Sequence, residues 1–388
     1  MPVFIHVLGL AVFAQGTSEF MLSGLVPGIA RDLSVPVAAA ASLTSAYAIG
    51  MVVGAPLMAA WSARWPRRRA LAGFLTAFVV VHVAGALTHD FAVLFATRIV
   101  AAVVNAGFLA VAMSVAASVV APGKQARATA VLLSGVTLAC VAGVPAGALL
   151  GERAGWRAAF WAVAALCLPA LALVSRSAPA DAAGGAEVSV RRELRVLSER
   201  PVRSALVLAA LVNGATFATF AHLAVVATEV TRLPEAVVPG LLAAFGAGAF
   251  LGVTVAGRRG DGRLVRYAMA ALPVGWAALA LTAPGAVPLF LLAAALGALS
   301  FGAGSALVGR VLRVASGAPA LGGSFATAAL NVGAFAGPLL AGAAASAAGD
   351  QRAAAWVSAA LAAAGAGLAA TAARRSGRAA RRPRDTAA

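Results

Sequence analysis

Glu19, in the stretch QGTSEFML, is the only one of the chain's 13 acidic residues that falls well inside an apolar run. A carboxylate in hydrocarbon costs several kcal/mol unless it is paired, protonated or turned toward a wet cavity. Arg98, in ATRIVAAVVNAGF, is the one basic residue in the same position. A carboxyl held between burial and a guanidinium exchanges a proton when its surroundings change, so this pair carries the proton chemistry to be expected of the chain. Gln15 stands one turn below Glu19 and Asn105 two turns along from Arg98, which extends the pair into a polar stripe. Asn213, His222, Ser300, Ser305 and Asn331 are further polar residues in apolar runs, and Phe217 belongs to a set of phenylalanines able to wall a cavity.

The elements that position these residues are set by composition. Hydrophobic residues make up 62% of the chain, charged residues 11%, and the mean hydropathy is +0.93, far outside the range of soluble domains. Apolar runs recur near the ~20 residues that a helix needs to cross ~30 Å of hydrocarbon. Spans are expected at 4–26, 38–60, 70–87, 91–113, 129–150, 158–175, 204–226, 236–256, 266–283, 287–309, 322–346 and 353–373. The expected fold class is therefore all-α and integral to the membrane, with 12 transmembrane helices. Span one runs outward and span four inward, so Glu19 and Arg98 each lie seven residues, roughly 10 Å, from the outer edge. Val3 onward reads as the first span and not as a removed signal peptide.

The formal net charge of +17 would fit nucleic acid, but its distribution points elsewhere. Of the 30 basic residues, 24 fall in alternate loops, the linker and the tail, from Arg64 and Arg68 to the arginines after Arg374. That asymmetry is the signature of positive cytoplasmic loops, which places both termini in the cytoplasm. The basic loops are short and lack interleaved aromatics, so no nucleic-acid partner is expected. Cys140 and Cys167 have neither metal-ligand nor disulfide spacing, and no metal or cofactor is expected. HExxH, GxSxG and paired acids near a membrane face are absent, so the chain is read as no enzyme.

A shift of 195 residues aligns Arg64 with Arg259, Arg68 with Arg263, Gly147 with Gly342, Arg157 with Arg352 and Trp161 with Trp356. Two six-helix halves follow, 1–176 and 203–373, joined by a cytoplasmic linker, 177–202, and followed by a basic tail, 374–388. In the fifth span Gly135, Gly143, Gly147 and Gly151 recur at intervals of four or eight, giving one helix face on which another backbone can lie closely, with Pro145 beside it. NVGAFAGPLLAG at 331–342 repeats the pattern in the second half.

These stretches resemble the 12-helix drug:proton antiporter family of the major facilitator superfamily. Gly135 to Gly147 resembles the family's antiporter motif in helix five, GAPLMAAWSARWPRRRAL at 54–71 its loop 2–3 motif, and Arg98 its helix-four arginine. GTSEFMLSGLVPGIARDL at 16–33 is similar to the branch holding actinobacterial chloramphenicol-resistance exporters. The resemblance implies the major facilitator fold, with helices one and four lining a central cavity where Glu19 and Arg98 would face each other. His82 would then face lipid or packing. It also implies alternating access and proton-coupled export of a small hydrophobic antibiotic, chloramphenicol first, with drug, protons and bilayer as partners and a monomer as the expected state. Sugar or amino-acid transport is the alternative, because fold alone reveals neither direction nor substrate. The sequence departs from the motif at Ala63, where the family carries Asp, and at Ala59 and Pro66; Asp261, between Arg259 and Arg263, is the acid expected to serve the cytoplasmic gate loops.

Overall fold

The computed structural model describes residues 2–22, 25–62, 65–121, 123–177, 190–259, 262–318 and 321–380. Within them the chain is helical, with no strand. The first half comprises α1 (Val3–Met21), the short α2 (Val26–Asp32), α3 (Val37–Ser62), α4 (Arg67–Leu87), α5 (Phe91–Ser118), α6 (Gln125–Ala154) and α7 (Trp156–Ser177). A linker helix, α8 (Val190–Arg195), leads through a 3-10 turn to the second half. There follow α9 (Arg200–Val225), α10 (Val238–Arg259), α11 (Gly262–Thr282), α12 (Ala286–Val314), α13 (Gly322–Ala348) and α14 (Ala353–Ala380).

Ten of these helices are long and apolar enough to cross a membrane: α1, α3, α4, α5, α7, α9, α10, α12, α13 and α14. In α6 and α11 the apolar stretches among the described residues are shorter, Arg127–Ala139 and Tyr267–Thr282. Large side chains on the outer surface are apolar, as a bilayer requires: Leu57, Leu251 and Val287 are all more than half exposed.

The first span is shorter than the run 4–26. α1 stops at Met21 and α2 begins afresh with Pro27 in its first turn. Proline has no N–H to give to a preceding turn but suits a helix start, so the break falls just before it. Elsewhere local chemistry sets the ends. Asp90 caps α5 by accepting from the Val93 N–H at 2.9 Å, and α13 ends at Gly349 in the left-handed region, φ 61°.

Helix pairing repeats between the halves. α1 packs on α6 as α9 packs on α13, and α3 packs on α5 as α10 packs on α12. Glycines permit the closest of these approaches. A Cβ on Gly135 would stand 2.4 Å from the Gly9 carbonyl oxygen of α1, and one on Gly337 2.2 Å from the Gly214 carbonyl oxygen of α9. Between the halves, α6 meets α10 and α3 meets α13.

The end bearing the loops 62–67, 118–125 and 314–322 also bears the linker, and it is closed. Ala110 of α5, Val196 of the linker, Val202 of α9 and Leu321 and Phe325 at the start of α13 form one buried cluster. A Cβ on Gly323 would lie 2.7 Å from the Ala110 carbonyl oxygen. The buried Glu193 carboxylate of α8 accepts the Leu321 backbone N–H at 2.8 Å, at the N-cap of α13. A carboxylate there satisfies an otherwise orphan donor and complements the helix dipole. Arg67, at the same end, donates to the Ser118 hydroxyl at 2.6 Å, while Arg68 is exposed. Arg64 and Asp261, and the side chains of Pro145, Arg259 and Arg263, lie outside the described residues.

Candidate functional site

Above that closed end lies a cavity between the two halves, with about 840 Å³ of atom-free space that includes room open to solvent. Its wall draws on both halves. From the first come Glu19 and Phe20 of α1, Met51 of α3 and Asn105 of α5; from the second come Asn213 and Phe217 of α9, Ser300 and Ser305 of α12, and Asn331 of α13. Phe20 and Phe217 stack across the boundary, with ring centroids 6.4 Å apart and planes 7° from parallel, and Phe301 flanks Phe217 at 6.3 Å.

Among the described residues Glu19 is the only charged side chain on this wall, and it makes no hydrogen bond or ion pair. Arg98 is not on the wall. Its guanidinium is buried inside the first half, where it donates to the Ser18 hydroxyl at 2.7 Å and to the Ser18 carbonyl at 3.0 Å. It lies over the Tyr47 ring at 4.5 Å and within 5.6 Å of the Phe160 ring centroid. The expected pair therefore makes no direct contact, although the two charges remain within electrostatic reach of each other. Adjacent residues on a helix point about 100° apart, so Ser18 turns into the bundle toward Arg98 while Glu19 turns into the cavity.

Of the two expectations for His82, lipid or packing, the second holds. It is buried, its Nδ1–H donates to the Phe78 carbonyl at 2.7 Å, and its Nε2 lies 2.6 Å from the Ser18 hydroxyl. A carbonyl only accepts, so Nδ1 carries the proton and Nε2 receives the Ser18 hydrogen. Arg98, Ser18 and His82 thus form one directed chain of donors behind Glu19. Sequence reasoning missed His82 as a member. The signal was its depth, since five residues from the end of α4 put it near the level of Arg98.

The remaining expected residues divide. Gln15 is fully buried off the wall, and neither its Nε2 nor its Oε1 has a hydrogen-bond partner. His222 turns back onto its own helix, with Nδ1 2.9 Å from the Ala218 carbonyl, and does not line the cavity. Gly135, Gly143, Gly147 and Gly151 all face α1 and its continuation: Cβ atoms on them would meet Gly9, Thr17, Met21 and Leu25 in turn. This glycine face is the bed on which the helix carrying Glu19 lies. Of the other phenylalanines, Phe220 and Phe245 pack against Phe217 and Phe301 from behind, and Phe108 is buried in the first-half core. Among the described residues no group of His, Cys, Asp or Glu is arranged to hold a metal ion.

At the opposite end from the linker, Asp32 of α2 pairs with Arg157 and accepts from the Trp156 Nε1–H at 3.1 Å. Hydrogen bonds from Arg157 and Trp156 hold the Asp32 carboxyl below its ordinary pKa. Arg157 also donates to the Thr88 carbonyl at 2.9 Å, which ties α2, α4 and α7 together. Arg352, its counterpart in the 195-residue shift, pairs with Asp350 at 2.8 Å before α14.

The sequence profile of the Major Facilitator Superfamily matches residues 8–319. The chain belongs to that superfamily. It is 54% identical over 347 residues to a chloramphenicol resistance protein of Streptomyces lividans, covering 88% of each. It is 32% identical over 261 residues to a chloramphenicol efflux pump of Mycobacterium tuberculosis (strain CDC 1551 / Oshkosh), covering 66% of this chain and 62% of that one. The fold is also that of the Escherichia coli fucose:proton symporter, with a TM-score of 0.77 at 14% identity over 95% of this chain and 98% of the other. The protein is accordingly a multi-pass protein of the cell membrane in a family of transporters.

Proposed function

We propose that this superfamily member exports a small, uncharged, amphipathic antibiotic in exchange for protons, with chloramphenicol as the first substrate. The observation that carries the reading is Glu19, a carboxylate with no hydrogen-bond or ion-pair partner among the described residues, on the wall of a cavity between two helical halves. The resistance and efflux relatives support the drug. The loop-charge asymmetry supports twelve crossings with both termini and the linker end in the cytoplasm. The halves 1–176 and 203–373 then rock about the cavity, exposing it to one side at a time. A proton on Glu19 and a drug against Glu19 compete for one carboxylate, so binding of either weakens the other, and that reciprocity couples the two fluxes. The Arg98–Ser18–His82 chain fixes the azimuth of α1 and so keeps Glu19 aimed at the cavity.

The test is retention of labelled chloramphenicol by cells expressing wild type or Glu19→Gln at matched membrane levels, each with and without an uncoupler. Low retention in the wild type alone, abolished by the uncoupler, is the expected result. Equal export by Glu19→Gln would remove Glu19 from the coupling path. Absence of export by the wild type would discard the drug and turn attention to sugars or amino acids.

A further inference from the structure

We infer that the cavity recognises its substrate by the hydrogens that the substrate donates: it takes hydroxyl- and amide-bearing amphipaths and rejects analogues in which those hydrogens are replaced. This rests on the export reading above. Three asparagines line the cavity, and each commits its amide nitrogen to the protein. Asn213 Nδ2 donates to the Leu330 carbonyl at 2.7 Å and Asn331 Nδ2 to the Thr327 carbonyl at 3.0 Å. Asn105 Nδ2 donates to the Tyr47 hydroxyl at 2.9 Å and to the Met51 sulfur at 3.5 Å. Carbonyls accept and do not donate, which fixes the amide orientation at Asn213 and Asn331; at Asn105 the Tyr47 hydroxyl can serve either way, and the Met51 sulfur, which only accepts, sets the same orientation. Among the described residues none of the three Oδ1 atoms has a hydrogen-bond partner, and none is among the buried unpartnered atoms, so all are accessible.

The inventory of the wall is therefore skewed. Five of its oxygens only accept, those three and the two of the Glu19 carboxylate; its unspent hydrogens that only donate are one N–H each on Asn213 and Asn331, and the Ser305 hydroxyl serves either way. An unmet buried polar group penalises every occupant that fails to satisfy it, which is how a polar site discriminates against an analogue missing one donor. Among the described residues the wall has no cation to hold an anion, and Phe20, Phe217 and Phe301 supply the flat apolar surface for the rest of the molecule.

Purified wild-type protein decides the matter by competition against labelled chloramphenicol, read beside efflux of the same compounds from cells. Thiamphenicol keeps both hydroxyls and the amide N–H and replaces only the nitro group; florfenicol also replaces the primary hydroxyl with fluorine; 3-O-acetylchloramphenicol esterifies that hydroxyl. Thiamphenicol should bind within about threefold of chloramphenicol, and the other two should bind roughly tenfold or more weakly, the loss expected for one unmet buried partner. Florfenicol binding as well as thiamphenicol would overturn the inference while leaving export intact. So would strongest competition from tetraphenylphosphonium, a cation that donates no hydrogen bond. Failure of chloramphenicol itself to bind or leave the cell would overturn the export reading and the inference with it.

Discussion

Replacing Gly135 by alanine tests how tightly the glycine face of α6 holds the helix that carries Glu19. The new Cβ would sit 2.4 Å from the Gly9 carbonyl oxygen and 3.1 Å from the Phe13 nitrogen, the first about 1 Å inside ordinary contact. Both atoms are backbone, so no rotamer relieves the clash and α1 must shift. Overpacking of this kind typically costs about 1–3 kcal/mol. Against it stands the gain of removing a glycine from a helix interior, about 0.5–1 kcal/mol. The clash wins at Gly135. At Gly143, eight residues along, the nearest atoms lie at 3.4 Å, so the same substitution meets ordinary contact and the helix gain is left over. Thermal unfolding of the two purified variants, followed by tryptophan fluorescence in one detergent, should place Gly135→Ala several degrees below wild type and Gly143→Ala at or above it. Gly135→Ala should also lower drug efflux, because the displaced helix aims Glu19. A Gly135→Ala protein that melts with or above Gly143→Ala would refute the close-contact account.

Two further outcomes follow from the ends of the molecule. The Asp32 carboxyl is held below its ordinary pKa, so its stabilisation is present above the unfolded carboxylate range and lost as pH falls through the lower folded value. Asp32→Asn should therefore lower thermal stability at neutral pH, with the gap to wild type closing below roughly pH 4; a gap that stays constant with pH would remove the charge from the explanation. Glu193→Gln keeps an acceptor at the Leu321 N–H but removes the charge from the start of α13, worth about 0.3–2 kcal/mol at a helix end. A cysteine at Ala318, buried in the linker-end cluster, should then react faster with a thiol reagent than in the same background with Glu193 intact. Unchanged labelling would show that the carboxylate does not help hold that end closed.

Much of this arrangement was legible because a membrane simplifies the signals. Apolar length marks spans, and intramembrane polarity singled out Asn105, Asn213, Ser300 and Asn331, all of which stand on the cavity wall. Glycine spacing announced a close helix contact and left its partner unnamed. Azimuth was not legible. Counting residues from a span end gives depth, and depth paired Glu19 with Arg98, whereas one residue of rotation gives Arg98 to Ser18 instead. His82 escaped for a related reason, because a single histidine in an apolar helix has no periodic pattern to say which way it faces. The Glu193 contact was hidden more deeply. It joins residues 128 positions apart, and nothing in VRRELR says that its acid will meet the start of α13.

The segment that closes the linker end is the same chain that ties the halves together. When the Glu193 contact breaks, its partner cannot diffuse away, and the polypeptide holds the two groups at a high effective concentration. Re-docking is unimolecular and indifferent to how much transporter the membrane contains. Only residues 196–199 separate α8 from α9, so Glu193 is tethered by a short stretch to the half that carries Leu321, and it re-docks without altering any group that touches drug or proton.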